Sequence, residues 1–463
     1  MITVLLDKAE FEYDIHSLVK AFYPKEEVYV STKDKEKKEE PVHYHMDVQF
    51  APEEIIFSWK RVEASEDNAN QTGITKCVAV DYTNRKETKN SLKRTLYRLL
   101  SEYTGVELPW GNLTGIRPTK IPMALLEEGK SEEEIARYMK ETYFTSDEKI
   151  KLSIEIAERE LELLHKLDYE EGYSLYIGIP FCPTTCLYCS FTSYSMSAWK
   201  NRMDDYLSAL EKELDYTAVK FAHKKLNSIY IGGGTPTTLN PQQLDRLIRK
   251  IKCSFDLSDL VEFTVEAGRP DSITKEKLMV LRNHDISRIS INPQTMKQHT
   301  LELLGRNHTV ERVNETFWMA RKAGFDNINM DVIVGLPEED EVDFCNTMYK
   351  IHELDPDSVT VHTLVIKRAS RMRREQMERG GEIRPEDTLI PIIQKASEDI
   401  LRDYGYLPYY MYRQKNSAGH AGSGGQENIG YAKPGSECLY NILIMEEKQA
   451  ILACGAGAST KRV

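Results

Sequence analysis

The 463-residue chain contains no run of about 18 apolar residues, so no membrane-spanning helix is expected. It has no long basic run either, and its formal net charge is −12. Both argue against nucleic acid as the main partner. The opening MITVLLDKAEFEYD turns acidic early and lacks a small-residue cleavage site, so no secretory signal is expected there. The eight cysteines do not follow a secreted disulfide framework, because three cluster and five are scattered. A reducing cytoplasm suits such free thiols. Hydrophobic content of 41% and charged content of 29% are those of a soluble globular protein. The length predicts two or three domains.

The clustered cysteines lie in Tyr176–Phe191, YIGIPFCPTTCLYCSF. Cys182, Cys186 and Cys189 have the spacing Cys-x3-Cys-x2-Cys. Four thiolates normally close a [4Fe–4S] cluster or a structural zinc site. Three without an evident fourth suggest a cluster with one iron open to another ligand. A zinc site and unrelated thiols are the alternatives that spacing leaves open. The run before them, SLYIGIP, is apolar, β-rich and ends at Pro180. The cysteines should therefore lie on a loop at the C-terminal end of a strand, where α/β folds place their chemistry.

Residues 1–168 read as an accessory α/β domain with a helical connector. ITVLLD, HYHMDVQF, EEIIFSW and KCVAVDY read as strands, with a short helix around Glu10–Ala21. Lys33–Glu40, KDKEKKEE, reads as a solvated loop or hairpin tip. His43 and His45 share a strand face, either as metal ligands or as ordinary surface residues. A helix is expected over Glu87–Tyr103. Trp110, Gly111, Gly115 and Pro118 then break regular structure in LPWGNLTGIRPTKI. Two helices follow, announced by the capping boxes Ser131/Glu134 and Thr145/Glu148, the second reaching about Leu167.

Residues 169–370 change pattern. SLYIGIP, NSIYIGGG, VEFTVEAG, RISINPQ, NINMDVIVG and DSVTVHTL are β-rich runs. Amphipathic stretches such as Trp199–Phe221 and Val310–Ala323 separate most of them. This alternation predicts parallel strands with right-handed crossovers, a partial (β/α)6 barrel with a lateral mouth. Residues 371–463 read as an α+β extension covering the substrate. It holds a helix over Asp387–Tyr404, the aromatic YLPYYMYRQ, a loop over Asn416–Gly425, LYNILIM and AILACGAGAS. The sequence stops eight residues after Gly455, which suggests an extension short at its C-terminus.

Gly232–Thr237, GGGTPT, follows a strand. Such glycines let a ligand approach the backbone, although a tight turn would use them too. Glu266 ends the next strand in TVEAGRPD, as a ligand-binding acid or as a helix-capping or salt-bridging one. Gln294, Arg306 and Asp331, in SINPQTM, LLGRNHT and NMDVIVGLP, lie at strand ends or just beyond and should converge on the barrel mouth. For Arg306 the alternative is a surface ion pair, and for Asp331 a buried acid bonded to loop amides. Cys77, Cys253, Cys345, Cys438 and Cys454 read as small core residues, although Cys438 lies where it could touch a ligand. His362, at the last strand end, reads as a haem ligand, a proton donor or a rim histidine.

In this order the motifs, with INPQT, LGRNHT, MDVIVGLP and GAGAS, resemble the radical S-adenosylmethionine (SAM) superfamily. Within it they are most similar to the oxygen-independent coproporphyrinogen III dehydrogenase group and its HemZ branch. LPWGNLTGIRPTKI also looks HemZ-like. The resemblance implies a partial barrel whose Cys182, Cys186 and Cys189 hold a [4Fe–4S] cluster, with SAM chelating the open iron. An electron from a donor such as flavodoxin or ferredoxin then cleaves SAM to methionine and a 5′-deoxyadenosyl radical. It also implies that Tyr176, Gly233 and Glu266 contact this SAM. Tyr188, Gly234, Thr235, Gln294, Arg306 and Asp331 match positions that hold a second SAM in relatives.

The reaction implied is oxidative decarboxylation of two propionates of coproporphyrinogen III, giving protoporphyrinogen IX. Haem-carrying chaperones and haem-ring-opening methyltransferases are the alternatives within the resemblance, and haem is an implied ligand of both. A tetra-anionic substrate needs cations. Arg306, Lys367, Arg368, Arg371 and Arg373 are candidates, the last three equally a solvated basic face. Two positions depart from the best understood enzymes. Phe191 stands where they carry a further cysteine, as in the chaperones, and Gly178 where they usually carry histidine. Both bear on the reaction rather than on SAM chemistry, since one scaffold hosts many functions.

Overall fold

In the computed structural model, which describes residues 1–32, 41–62, 73–191, 193–367, 369–379, 389–414 and 427–463, period-two burial near the N-terminus builds a five-stranded sheet. Its strands are β1 (Ile2–Leu6), β2 (Val28–Thr32), β3 (Tyr44–Phe50), β4 (Glu54–Arg61) and β5 (Ile74–Ala79), in the order β2-β1-β3-β4-β5. The first three are parallel, and β4 and β5 return antiparallel. Ile2, Val4, Met46, Val48, Phe57 and Trp59 form one apolar core with Ile15 and Leu18 of the helix Glu12–Phe22 and Leu92, Leu96 and Leu100 of the helix Arg85–Thr104. The sequence reading omitted β2, and the helix Lys120–Glu127 as well, whose N-cap Thr119 makes no side-chain cap. Ser131 and Glu134 form the expected capping box. The second box does not form. Ser146 Oγ accepts the Lys149 N–H at 3.4 Å instead, and Thr145 Oγ1 is buried without a partner. That helix runs over Asp147–Leu164.

His43 is occupied by Glu26, and His45 by Thr3 and Asp47. Lys33–Glu40, Asn416–Gly425, Arg368 and Asp387 lie outside the described residues. Residues 1–154 belong to one compact unit; 155–412 and 427–463 form a second.

The second unit is built on a nine-stranded sheet. Strands β6 (Gly172–Ile179), β9 (Lys225–Gly233), β10 (Glu262–Gly268), β11 (Arg288–Ile291), β12 (Ile328–Val334) and β13 (Ser358–Thr363) lie side by side in sequence order, all parallel. A short pair, β7 (Phe181–Cys182) and β8 (Tyr194–Ser195), stands apart within the cysteine loop. Helices follow the strands, several started by side-chain caps from Asn240, Thr274, Thr309 and Asp340. Leu175, Ile177, Ile229, Ile231, Val265 and Ile289 are fully buried, as are Leu207, Leu247, Leu281 and Phe317 of the helices. This is the partial (β/α)6 barrel.

The C-terminal segment extends the sheet at both edges. Strands β14 (Leu407–Arg413) and β15 (Glu427–Ala432) lie beyond β13, with β15 antiparallel to it, while β16 (Ala450–Cys454) pairs in parallel with β6. LYNILIM forms the helix Leu439–Glu446, seated on the Glu262 carboxylate, which accepts the Leu439 N–H at 2.7 Å and the Tyr440 N–H at 3.2 Å. No helix among the described residues is long and apolar enough to cross a membrane.

Candidate functional site

Five of the six barrel strands, otherwise buried except at their ends, keep one partly open side chain in mid-strand: Tyr176 on β6, Tyr230 on β9, Glu266 on β10, Asp331 on β12 and His362 on β13. The sixth, β11, places buried Ser290 opposite Glu266, its hydroxyl without a partner. These side chains line the barrel interior. Tyr176, Tyr230 and Tyr440 stack there, with ring centroids 6.0 Å apart for the first pair and 4.5 Å for Tyr230 and Tyr440. Tyr230 Oη donates to Glu266 Oε1 at 2.6 Å. Burial pushes the Glu266 carboxyl up to about 7; the Tyr230 hydrogen bond opposes this and the Asp331 charge adds to it. Asp331 moves the other way. Burial would raise it, but His362 and the Asn329 amide, 2.7 Å from Oδ1, hold it below the usual range. No lysine or arginine shares this ring of positions.

The glycine turn ties the ring to the cysteine loop. Gly234 N–H donates to Ile179 O at 2.8 Å, and Thr235 N–H to Phe181 O at 2.7 Å. Gly233 has φ +110°, open to glycine and strained for other residues. A Cβ on Gly234 would stand 2.6 Å from Phe181 O and 3.0 Å from Cys182 Sγ. Only bare backbone fits against the first cysteine.

All eight cysteines are free thiols. Cys182 and Cys186 are buried, and Cys189 is half-buried. Burial raises the Cys182 and Cys189 thiols, and the charge of neighbouring cysteines adds to it. The three sulfurs therefore lie within electrostatic reach of each other. Among the described residues no three His, Cys, Asp or Glu side chains converge as tightly as a single ion would need. Three thiolates carried on one loop suit a polynuclear cluster in which each sulfur takes its own iron. Thr235 Oγ1 lies 3.5 Å from Cys182 Sγ, Arg306 Nη1 3.8 Å from Cys186 Sγ, and Arg269 Nη1 3.9 Å from the same sulfur.

The remaining residues marked in the sequence gather beside this loop. Arg306, 5% exposed, donates to Tyr188 Oη at 3.2 Å and to Asn292 O. It is buried, not in a surface ion pair. Gln294 has φ +72° and is tied on both sides to β12, through Asp331 O at 3.0 Å and Ile333 N–H at 2.9 Å. Gln294 thus combines a left-handed backbone with burial beside an interior acid. Gln294 Oε1, Asn292 Oδ1 and Arg306 Nε are buried without hydrogen-bond partners. Such orphaned groups suit a polar ligand bound among them. Cys438 is fully buried against Glu262, away from any accessible surface. Tyr230, Arg269 and Tyr440 also belong to this site, although no sequence motif singles them out. Arg269 was visible in TVEAGRPD, but nothing in its spacing pointed to a sulfur.

Residues 176–350 match the radical SAM superfamily. The chain is 42% identical over 397 residues to the oxygen-independent coproporphyrinogen-III oxidase-like protein HemZ of Bacillus subtilis, covering 84% of this chain and 77% of that protein. It is 32% identical over 289 residues to the heme chaperone HemW of Bacillus subtilis, covering 62% of this chain and 70% of that one. The solved coproporphyrinogen III oxidase HemN from Escherichia coli shares the fold, with a TM-score of 0.52 at 24% identity over 65% of this chain and 67% of that one. The superfamily's cofactors are a [4Fe–4S] cluster and SAM, which the thiols and orphaned polar groups suit. From its cysteine loop to its glycine turn, and by identity along most of its length, the chain belongs to the HemN/HemZ/HemW family of the radical SAM superfamily.

Proposed function

We propose that the protein is a radical SAM oxidoreductase of tetrapyrrole metabolism, converting two propionates of coproporphyrinogen III to vinyl groups to give protoporphyrinogen IX. The observation that carries this reading is a separation of charge. The ring of Tyr176, Tyr230, Glu266, Asp331 and His362 holds acids and tyrosines, with Arg288 of β11 buried and tied to Ser358 Oγ at 2.9 Å, while exposed cations follow the last barrel strand. Lys367 and Arg371 are exposed, and Arg373 is half-buried. The helix Arg371–Arg379 that carries both arginines is anchored to the cysteine loop, where Met372 N–H donates to Leu187 O at 2.9 Å and the Met372 side chain joins Leu187, Tyr188 and Leu304. An acidic interior suits the ammonium and sulfonium of SAM. A cationic rim beside the cysteine loop suits propionates.

Cys182, Cys186 and Cys189 would hold the cluster, and the Gly233 backbone, Tyr176 and Glu266 the bound SAM. Together these cofactors supply hydrogen abstraction from the propionate β-carbon. The stacked Tyr176, Tyr230 and Tyr440 exclude water from the acid's inner side. Tyr188, Gly234, Thr235, Gln294, Arg306 and Asp331 would hold a second SAM. Loss of carbon dioxide leaves a vinyl group and an electron for an acceptor; a flavodoxin or ferredoxin would donate to the cluster in the cytoplasm. Residues 1–168 act as an accessory domain, 169–370 as the barrel and 371–463 as the substrate cover.

A haem chaperone is the second reading. Phe191, two residues past the third cysteine, is 71% exposed, an apolar surface that suits a haem face, and HemW is a relative. The test is anaerobic reconstitution with iron and sulfide, followed by reductant, SAM and coproporphyrinogen III. 5′-Deoxyadenosine and porphyrins are followed together by mass spectrometry. Decarboxylated product in step with 5′-deoxyadenosine supports the oxidoreductase. Untouched coproporphyrinogen alongside a stable haem complex supports the chaperone.

A further inference from the structure

The middle cysteine has an unusual environment. Two buried guanidinium groups approach Cys186 Sγ, from Arg269 and Arg306, which are 4% and 5% exposed. They come from different parts of the barrel, one just after β10 and the other after the helix Gln298–Leu303. Cys182, by contrast, receives a neutral hydroxyl from Thr235.

Arg269 is fixed on every side. Its Nε donates to Asp271 Oδ1 at 3.0 Å and its Nη2 to Asp271 Oδ2 at 2.7 Å, a fork-on-fork pair. Nη1 donates to Thr184 O at 2.9 Å and to Thr184 Oγ1 at 2.8 Å. Thr184 lies between the first two cysteines, and its hydroxyl also donates to Gly305 O at 3.1 Å. Pro270 separates the arginine from its acid and restricts the backbone between them. A buried cation is costly without a partner, and Asp271 provides one. The acid holds the far edge of the guanidinium, which leaves Nη1 turned toward the sulfur. A lone salt bridge for stability would not need this orientation or a second arginine on the same atom.

Hydrogen bonds and positive charge at a cluster's sulfurs favour the reduced, more negative form and so raise its reduction potential. We propose that Arg269 is a positioning residue that sets the reduction potential of the cluster, with Arg306 as its counterpart across Cys186. The inference rests on the cluster reading of the three cysteines and extends it to a residue outside the cofactor set.

The test is a potentiometric titration, followed by electron paramagnetic resonance, of the reconstituted full chain without SAM. The parent, Arg269→Lys, Arg269→Met and Thr184→Val are compared at matched iron content. A parent chain that takes up no four-iron cluster overturns the cluster reading itself. With the parent loaded, Arg269→Met should shift the potential negative. Arg269→Lys should shift it less in the same direction, because an ammonium cannot span both Asp271 and the sulfur. Thr184→Val, which frees one edge of the guanidinium, should give a small shift with charge unchanged. An unmoved potential in variants with full clusters overturns the proposal. So does loss of the cluster from all three variants with unchanged circular dichroism, which would mark Arg269 as a structural support of the loop.

Discussion

Tyr230 and Glu266 stand on adjacent parallel strands, and the phenol donates to the carboxylate at 2.6 Å. The acid is buried among Asp331, His362, Tyr230 and the Gly233 amide, and is pushed up to about 7. A carboxyl poised there changes charge within the working range of a neutral cell. Tyr230→Phe removes one of the groups that favour the ionised form, so the acid should titrate higher still. SAM affinity at pH 7 should fall several-fold, and its pH profile should move to alkaline pH by up to about one unit, tenfold in protonation equilibrium. Calorimetric titration of SAM into reconstituted protein from pH 6 to 8.5 reads this directly, and superimposable profiles would refute it.

The same acid should weaken the fold at neutral pH. Its unfolded value is 4.5 and its folded value about 7. Between these the folded chain binds more protons, so stability falls as pH rises through the window and the full cost is present above 7. Glu266→Gln removes that cost and keeps an acceptor for Tyr230. The iron-free variant should be more stable than the parent at pH 8, by up to about 3 kcal/mol from the conversion of pH units to energy, and no more stable at pH 4. Urea unfolding at both pH values decides. The same variant should bind SAM poorly.

Gly234 leaves no room for a methyl group. Its added Cβ would meet Phe181 O, Phe181 N and Cys182 Sγ, all at 3.0 Å or less. Gly234→Ala should cost about 1–3 kcal/mol of stability and displace the first cysteine. Iron content after reconstitution should drop while the N-terminal unit is unaffected. Full iron uptake by this variant would show that the loop can move aside.

Cys438 should be chemically silent. Burial, followed by the Glu262 charge, pushes its thiol up to about 12. Cys77 and Cys253 are exposed. Iodoacetamide at pH 8 should label the exposed pair within minutes and reach Cys438 only in denaturant, as read by peptide mass spectrometry. Glu262→Ala removes the acceptor of two helix-start N–H groups and should open Cys438 to labelling, at a cost of about 1–2 kcal/mol. Equal labelling in parent and variant would show that the helix Leu439–Glu446 does not depend on this cap.

The cysteine loop and the six barrel strands were legible because each is a local signal: a fixed spacing, or a short β-rich run, in most cases ending in glycine or proline. What pairs with what over long distance was not. AILAC gives no sign that it lies beside SLYIGIP, or that YLPYYMYR and ENIGYA continue the opposite edge. Tyr230 looked like one more β-rich residue until its register against Glu266 was known. Ser146 takes the Lys149 N–H, one residue beyond the Glu148 N–H that a Thr145 box needs, and spacing cannot rank two adjacent hydroxyls as caps. Val28–Thr32 was missed for being short and next to a charge run. The departure at Gly178 has a local explanation. A Cβ there would lie 3.1 Å from Ala456 O and 3.4 Å from the Ala458 Cβ, so the GAGAS loop fills the space that a histidine would take.

The pairing of β16 with β6 also has a consequence for birth of the protein. The strand that leads into the cysteines gains its last neighbour only when residue 454 has left the ribosome. About 270 residues separate the two strands, which at typical elongation rates takes about 15 to 55 s. Throughout that interval the strand leading into the cysteine loop keeps an unpaired edge, a template for wrong pairing. Only when β16 arrives, with the GAGAS turn beside Gly178, is that edge closed.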